Sequence, residues 1–364
     1  METQFAQGQF TIDNKYQPFL VIPLPDQEVT TAAGETINMP TETVWRPICG
    51  SRPIVTASQL AKMAANHEAE IKAGFEIVNE GALGPGGLNV VFQLGSSVPS
   101  AAVPSFVAAE LYLEAQFPAD PMTITISVSF AALQSGVIGG TSSSYGQTTY
   151  PTARTVLVDD MDSNDLIQAF LPATTTVPVR YRTSSTTNED RVFFTFANWK
   201  ANGGTIAGND GSMQFSTNFP FDYDPSNGVG GSTISLVDVI IHEVGHAMGC
   251  TSGVDFRNRD IECLDLFRFR NTDGNADFNP DTNAEFTVRP RWAVFNNPNN
   301  DVNFDTISSE IPLSDGSPYQ ASHLRELFPA IGIMDPAFAF GETFYPNYLR
   351  STDLTVFDSI GYDQ

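Results

Sequence analysis

Basic side chains are scarce in this chain: 18 Lys and Arg stand against 42 Asp and Glu in 364 residues, a formal net charge of −24. Nucleic-acid binding needs a positive face for the phosphates, so this balance excludes that class and disfavours anionic membrane surfaces. Long apolar runs are also missing, and no stretch approaches the roughly 20 residues of a membrane-spanning helix. The first 25 residues carry neither a basic region nor a long apolar one, so no secretory signal peptide is visible. Three cysteines, Cys49, Cys250 and Cys263, are too few for a disulfide framework and allow one bridge at most. What the chain has in quantity is apolar material. Hydrophobic residues make up 41% and 27 residues are Phe, enough for a large core, which excludes a disordered chain. The length fits two domains, or one large domain with an extension.

Within residues 1–53, prolines at 18, 23, 25, 40, 47 and 53 interrupt every helical pattern. Runs such as FLVIPL predict strands there, or an arm lying on a partner surface. From Thr56 the pattern changes: Thr56 and Gln59 form a capping-box signature, and Leu60, Met63, Ala64, His67 and Ile71 share one helical stripe. The glycine-rich break GALGPGGL (81–88) is the best boundary, dividing an N-terminal extension over 1–85 from a main domain over 86–364. A helix is expected over Pro104–Phe117. After it Met122, Ile124, Ile126, Val128 and Phe130 alternate with Thr and Ser, the pattern of a half-buried strand. The segments 135–149 and 172–188, rich in Gly, Ser and Thr, read as loops around a helix near 160–171. Arg191–Phe196 and Met213–Ser216 read as strands, and a helix starts near Ser232–Ser235 and runs through Gly249. This mixture predicts an α+β fold.

Only four histidines are present, and two fall in His242-Glu243-Val244-Gly245-His246. On a helix, residues four apart lie one turn apart on one face, so both imidazoles can reach one zinc ion through bonds of about 2.0–2.1 Å. Glu243 is placed to act as a general base toward water. A pair of surface histidines is the bland alternative, but Val239, Ile240 and Ile241 argue for burial, and buried imidazoles need partners. A catalytic zinc needs a third protein ligand and an open fourth position. The remaining histidines are His67 and His323; Asp255, Glu262 and Asp265 are acidic rivals. His67, alone on an amphipathic stripe, reads as a satisfied core or boundary residue. For Asp255 and Asp265, loop capping or a salt link with Arg257, Arg259, Arg268 or Arg270 competes with a ligand role.

The run from His242 to Gly249 resembles the HExxHxxG motif of the metzincin zinc metalloproteases. In that clan the glycine lets the chain turn sharply toward a third His three residues on. Ser252 stands there instead, a departure from the pattern. Gly332-Ile333-Met334-Asp335-Pro336 resembles the Met-turn, and His323 precedes Met334 by eleven residues. Leishmanolysin-like metzincins are similar in carrying a long insertion before the third His; here His323 follows His246 by 77 residues. The resemblance implies His242, His246 and His323 as ligands, Glu243 as general base, Gly249 at the turn and Met334 as support beneath the metal. It also implies a mixed sheet, an active-site helix at the floor of a cleft, a C-terminal subdomain and a secreted or cell-surface location. DLTVFDSIGYD looks like the last helix of such domains. Metzincins bind the peptide as an added strand along a sheet edge, for which Met213–Ser216 is the candidate. Some place a Tyr two residues after the Met; Pro336 stands there, and Tyr345 or Tyr348 are the substitutes.

RPICGSRP around Cys49 is similar to the cysteine-switch segment of matrix metalloproteinase propeptides. That likeness would make Cys49 an inhibitory thiol and 1–85 a propeptide; a buried small residue is the plainer reading. Cys250 and Cys263 can bridge in an oxidising compartment, or serve as small core residues. In NTDGNADFNPDTN, Asp273, Asn275, Asp277, Asn279 and Asp281 alternate as oxygen ligands for Ca²⁺ can, although the EF-hand order is absent and an Asx-rich loop competes. The expectation is a hydrolase, a zinc metalloendopeptidase. The alternative is a catalytically silent structural or surface-assembly protein of the same fold. Retention of Glu243 favours the enzyme, because a structural zinc needs no base.

Overall fold

The computed structural model describes residues 9–11, 19–45, 61–67, 69, 74–79, 86–163, 167–181, 186–255, 261–269, 282–287, 311–314, 316 and 319–364. Cys49, the capping box at Thr56, Arg257, Arg259 and Arg270, and the acidic positions from Asp273 to Asp281 lie outside these residues. Of the two expectations for the proline-interrupted stretch the strands hold: it forms a hairpin of β2 (Phe19–Thr30) and β3 (Thr36–Trp45). Pro25 falls in its bulge between Leu24 and Gln27, where no ladder N–H is required. β1 (Gln9–Thr11) pairs with β2.

The hairpin is part of the main sheet. Among the described residues this sheet has ten strands, adding β4 (Glu76–Val78), β5 (Asn89–Leu94), β6 (Thr123–Ala131), β7 (Gly139–Thr149), β10 (Arg191–Thr195), β11 (Gly211–Ser216) and β14 (Ile261–Glu262). The order is β1-β2-β3-β7-β11-β6-β5-β4, with β10 also on β7 and β14 on β10. β5, β6 and β11 run parallel; β7 runs antiparallel to β11 and to β3. Two small ladders, β8 (Val177–Arg180) with β9 (Thr186–Glu189) and β12 (Phe221–Asp222) with β13 (Ile234–Ser235), stand apart. The architecture is a mixed α+β one, with strands from both sides of residue 85 in one sheet.

Alternation along the parallel strands decides where the core lies. Val90, Phe92, Ile126 and Val128 pack with Phe106 and Leu113 of α1 (Val103–Gln116) and Ile240 and Val244 of α4 (Leu236–Ala247). Ser127 and Ser129, on the alternate positions, meet His67 at the end of the helical stretch 61–67. Its Nδ1 lies 3.2 Å from Ser129 Oγ and its Nε2 3.2 Å from Ser127 Oγ, so His67 is a satisfied buried residue. No described helix is long and apolar enough to cross a membrane.

Several sequence expectations need correction. The supposed loop 135–149 is mostly β7, and the helix beside it is α2 (Tyr150–Asp160), with only a short 3-10 turn at Ile167–Phe170. Strands β8 and β9 form within and at the end of the supposed loop 172–188. Met213–Ser216 is not a sheet edge, because β11 is enclosed between β6 and β7. Cys250 and Cys263 are both buried free thiols, without the bridge.

Candidate metal centre

Helix α4 carries the motif. Ser235 caps it by accepting from the Asp238 backbone N–H. Asp238 in turn accepts from the Phe344 N–H (2.6 Å) and the Thr343 hydroxyl (2.9 Å), tying the C-terminal segment to the helix start. All twelve residues of α4 are buried, as a helix apolar nearly all round requires. It ends at Gly249, whose φ of 114° only glycine adopts readily; a Cβ there would stand 3.0 Å from the Asn198 Cβ.

The structure brings His242, His246 and His323 together. Their Nε2 atoms face one another, 3.2 Å from His242 to His246 and 3.2 Å from His246 to His323. Hydrogen bonding fixes what these atoms are. The Nδ1 of His242 lies 2.6 Å from the Ile333 carbonyl, that of His246 2.7 Å from the Cys250 carbonyl and that of His323 3.4 Å from the Gln320 carbonyl. A carbonyl only accepts, so Nδ1 carries the proton in each ring, and each neutral ring then turns an Nε2 lone pair toward the others. Lone pairs facing one another repel unless a cation lies between them. Four-coordinate zinc with bonds of about 2.0–2.1 Å sets its ligand nitrogens about 3.3–3.4 Å apart, so the donor set fits that ion. Burial keeps two of these rings neutral: it pushes the His242 pKa down to about 4, and that of His323 well below the usual range, with His242 adding to the effect.

His323 reaches the helix because its strand of chain is pinned on both sides. Leu324 N–H donates to the Met334 carbonyl (2.9 Å) and Ser314 N–H to the His323 carbonyl (2.9 Å). Met334 is fully buried against α4, where a Cβ on Gly245 would stand 2.5 Å from its sulfur. The turn around it is held by Asp353 of α5 (Ser351–Ser359), whose carboxylate accepts from the N–H groups of Ile333 (2.8 Å), Met334 (3.1 Å) and Arg350 (2.8 Å). Burial pushes the Asp353 pKa up to about 6.

Glu243 is fully buried between α4 and β7. Thr141 Oγ1 donates to its Oε2 (2.8 Å), with the Glu243 carbonyl also in reach at 3.0 Å. Gly139 makes room for the other oxygen, since a Cβ there would lie 3.1 Å from Oε1. The acidic rivals are engaged elsewhere. Asp265 accepts from the Ser252 hydroxyl (2.6 Å), from the N–H groups of Gly253 (2.8 Å) and Glu262 (3.0 Å), and pairs with Arg268 Nε (2.9 Å). Asp255 accepts from the Ala321 N–H, and Glu262 from the Tyr145 hydroxyl (3.5 Å). Among the described residues, the only His, Cys, Asp or Glu group with converging ligand atoms is the three histidines. The Tyr348 ring packs edge-on against those of Tyr112 and Tyr345. Sequence reasoning missed Thr141, Asp238 and Asp353. The first was hidden in the supposed loop; the others are single acids whose deciding partners, at Thr343 and Phe344 for Asp238 and at Ile333 and Met334 for Asp353, are distant in sequence. Comparison with family models, curated proteins and solved structures finds no match to this chain.

Proposed function

We propose that the chain is a zinc-dependent metalloendopeptidase with a metzincin-like catalytic domain. The observation that carries this reading is the convergence of three imidazole Nε2 atoms, two of them on a helix that also carries a buried glutamate, Glu243. Supporting the fold is an antiparallel strand, β7, lying over the motif helix at the end of a parallel set. His242, His246 and His323 would hold the ion, which when bound polarises the scissile carbonyl and lowers the pKa of water to about 7. Glu243 accepts the water's proton and returns it to the leaving amine.

Metal analysis of the purified protein should give one zinc per chain, and His323→Ala should lose it. Glu243→Ala should keep the zinc and abolish cleavage of a generic protein substrate. Zinc retained by Glu243→Ala with unchanged cleavage would remove Glu243 from the mechanism. Zinc without cleavage in any active-site-intact form would favour the silent, structural reading.

A further inference from the structure

The outer edge of β7 is already taken. β3 pairs with it antiparallel, from Thr41 opposite Gly146 to Trp45 opposite Ser142. It therefore runs toward Thr141, the residue whose hydroxyl engages Glu243. On the other edge β7 holds β11 and β10, so the β3 side is the one on which an incoming strand could add. The side chains confirm close seating. Val44 is fully buried with Tyr145 and Phe193, Trp45 packs with Leu20, Ile22 and Ala64, and Thr43 Oγ1 lies 3.5 Å from Ser144 Oγ. The same N-terminal region returns at 61–67, where His67 bonds Ser127 and Ser129, the rings of Trp45 and His67 meet at 5.6 Å, and Met63 packs on Leu133 and Val137 just before β7. Next to this edge the side chains of the candidate centre are buried: His242 is 0% exposed, Glu243 0%, His323 2% and His246 4%. Hydrolysis needs that centre open to water and to a polypeptide.

We infer that β3 is a built-in occupant of the substrate edge, holding β7 in place of the extended segment of a substrate polypeptide and keeping the site closed. This rests on the peptidase reading for its consequence, but the edge itself can be tested without catalysis. In this form the chain is latent, and the strand must leave β7 before a substrate strand can pair there. Competition is between equals, because backbone hydrogen bonds from β3 and from a substrate satisfy the same N–H and C=O groups of Ser142–Gly146. The covalently attached strand has the advantage of a high effective concentration.

The test uses the full chain loaded with zinc. Thr43→Cys with Ser144→Cys allows a disulfide across the β3–β7 pair that a reductant opens, and Val44→Asp weakens the pair by placing a charge in a buried site. In a Glu243→Ala background, binding of a fluorescent unfolded casein peptide is measured by anisotropy. The expected result is roughly tenfold tighter binding for Val44→Asp than for its parent, and loss of binding in the oxidised pair with recovery on reduction. Equal binding by oxidised and reduced forms, or no binding by any form, overturns the proposal. With Glu243 restored, cleavage should follow the same order. Binding that follows this order while no form cleaves would retain the strand's role and reject the peptidase reading.

Discussion

At the scale of single residues, the candidate centre divides into groups that announce themselves and groups that do not. His242, Glu243 and His246 are legible because a helical turn fixes their relation within five positions. His323 is legible only through its resemblance-based place before Met334, since nothing local says that 77 residues of chain return it to the same point. Thr141 is illegible: its value lies in a hydroxyl aimed at a carboxylate 102 residues away. On the peptidase reading it would be a positioning residue acting through Glu243. Thr141→Val removes the donor while keeping the shape, so kcat for peptide cleavage should fall roughly tenfold. KM and zinc content should stay unchanged, and Thr141→Ser should restore most of the rate. A matching loss in Thr141→Ser would reduce Thr141 to a packing residue.

At the scale of elements, amphipathic patterns read well and small-residue strands read badly. α1 and β6 come within a residue or two of expectation because burial on one face leaves an apolar record in the chain. β7, GGTSSSYGQTT, leaves none. Its first eight residues are buried, yet α4 comes so near that Ser143 Oγ reaches the His246 carbonyl at 3.4 Å, and bulky residues have no room. A strand built to let a helix backbone approach therefore reads as a loop. The neighbouring strand is as tightly placed: a Cβ on Gly211 would stand 2.8 Å from the Ser142 carbonyl oxygen, a backbone atom that cannot swing away. Gly211→Ala should destabilise the β7–β11 pair by about 1–3 kcal/mol, read as a lower urea midpoint with unchanged slope. An unaltered midpoint would show the two strands able to separate at little cost.

For the whole molecule, charge and burial combine into an unusual pH response. Burial, with the Asp363 charge adding, pushes the Asp120 pKa up to about 8, and burial with the neighbouring Glu326 pushes Asp335 up to about 9. In the unfolded chain both lose their protons near 3.8, so over the intervening range the folded state binds more protons and stability falls as pH rises. His242 works in the opposite sense, adding stability as pH rises from about 4 to its unfolded value of 6.5, where its contribution levels off. The metal-free protein should therefore lose stability between pH 6.5 and 9, while net repulsion from a charge of −24 adds to the trend. Urea midpoints at the two pH values check this, and a higher midpoint at pH 9 would contradict it.

The three imidazoles also set an order of events in biosynthesis. Two sit on α4, and the third arrives only once residues 321–324 have docked beside Met334. A ribosome delivers the chain from its N-terminus, so β3 can settle on β7 long before the nest is complete. On the zinc reading, ion capture would wait for residues 321–324 to dock, so the metal would join a sheet and helix that are already assembled.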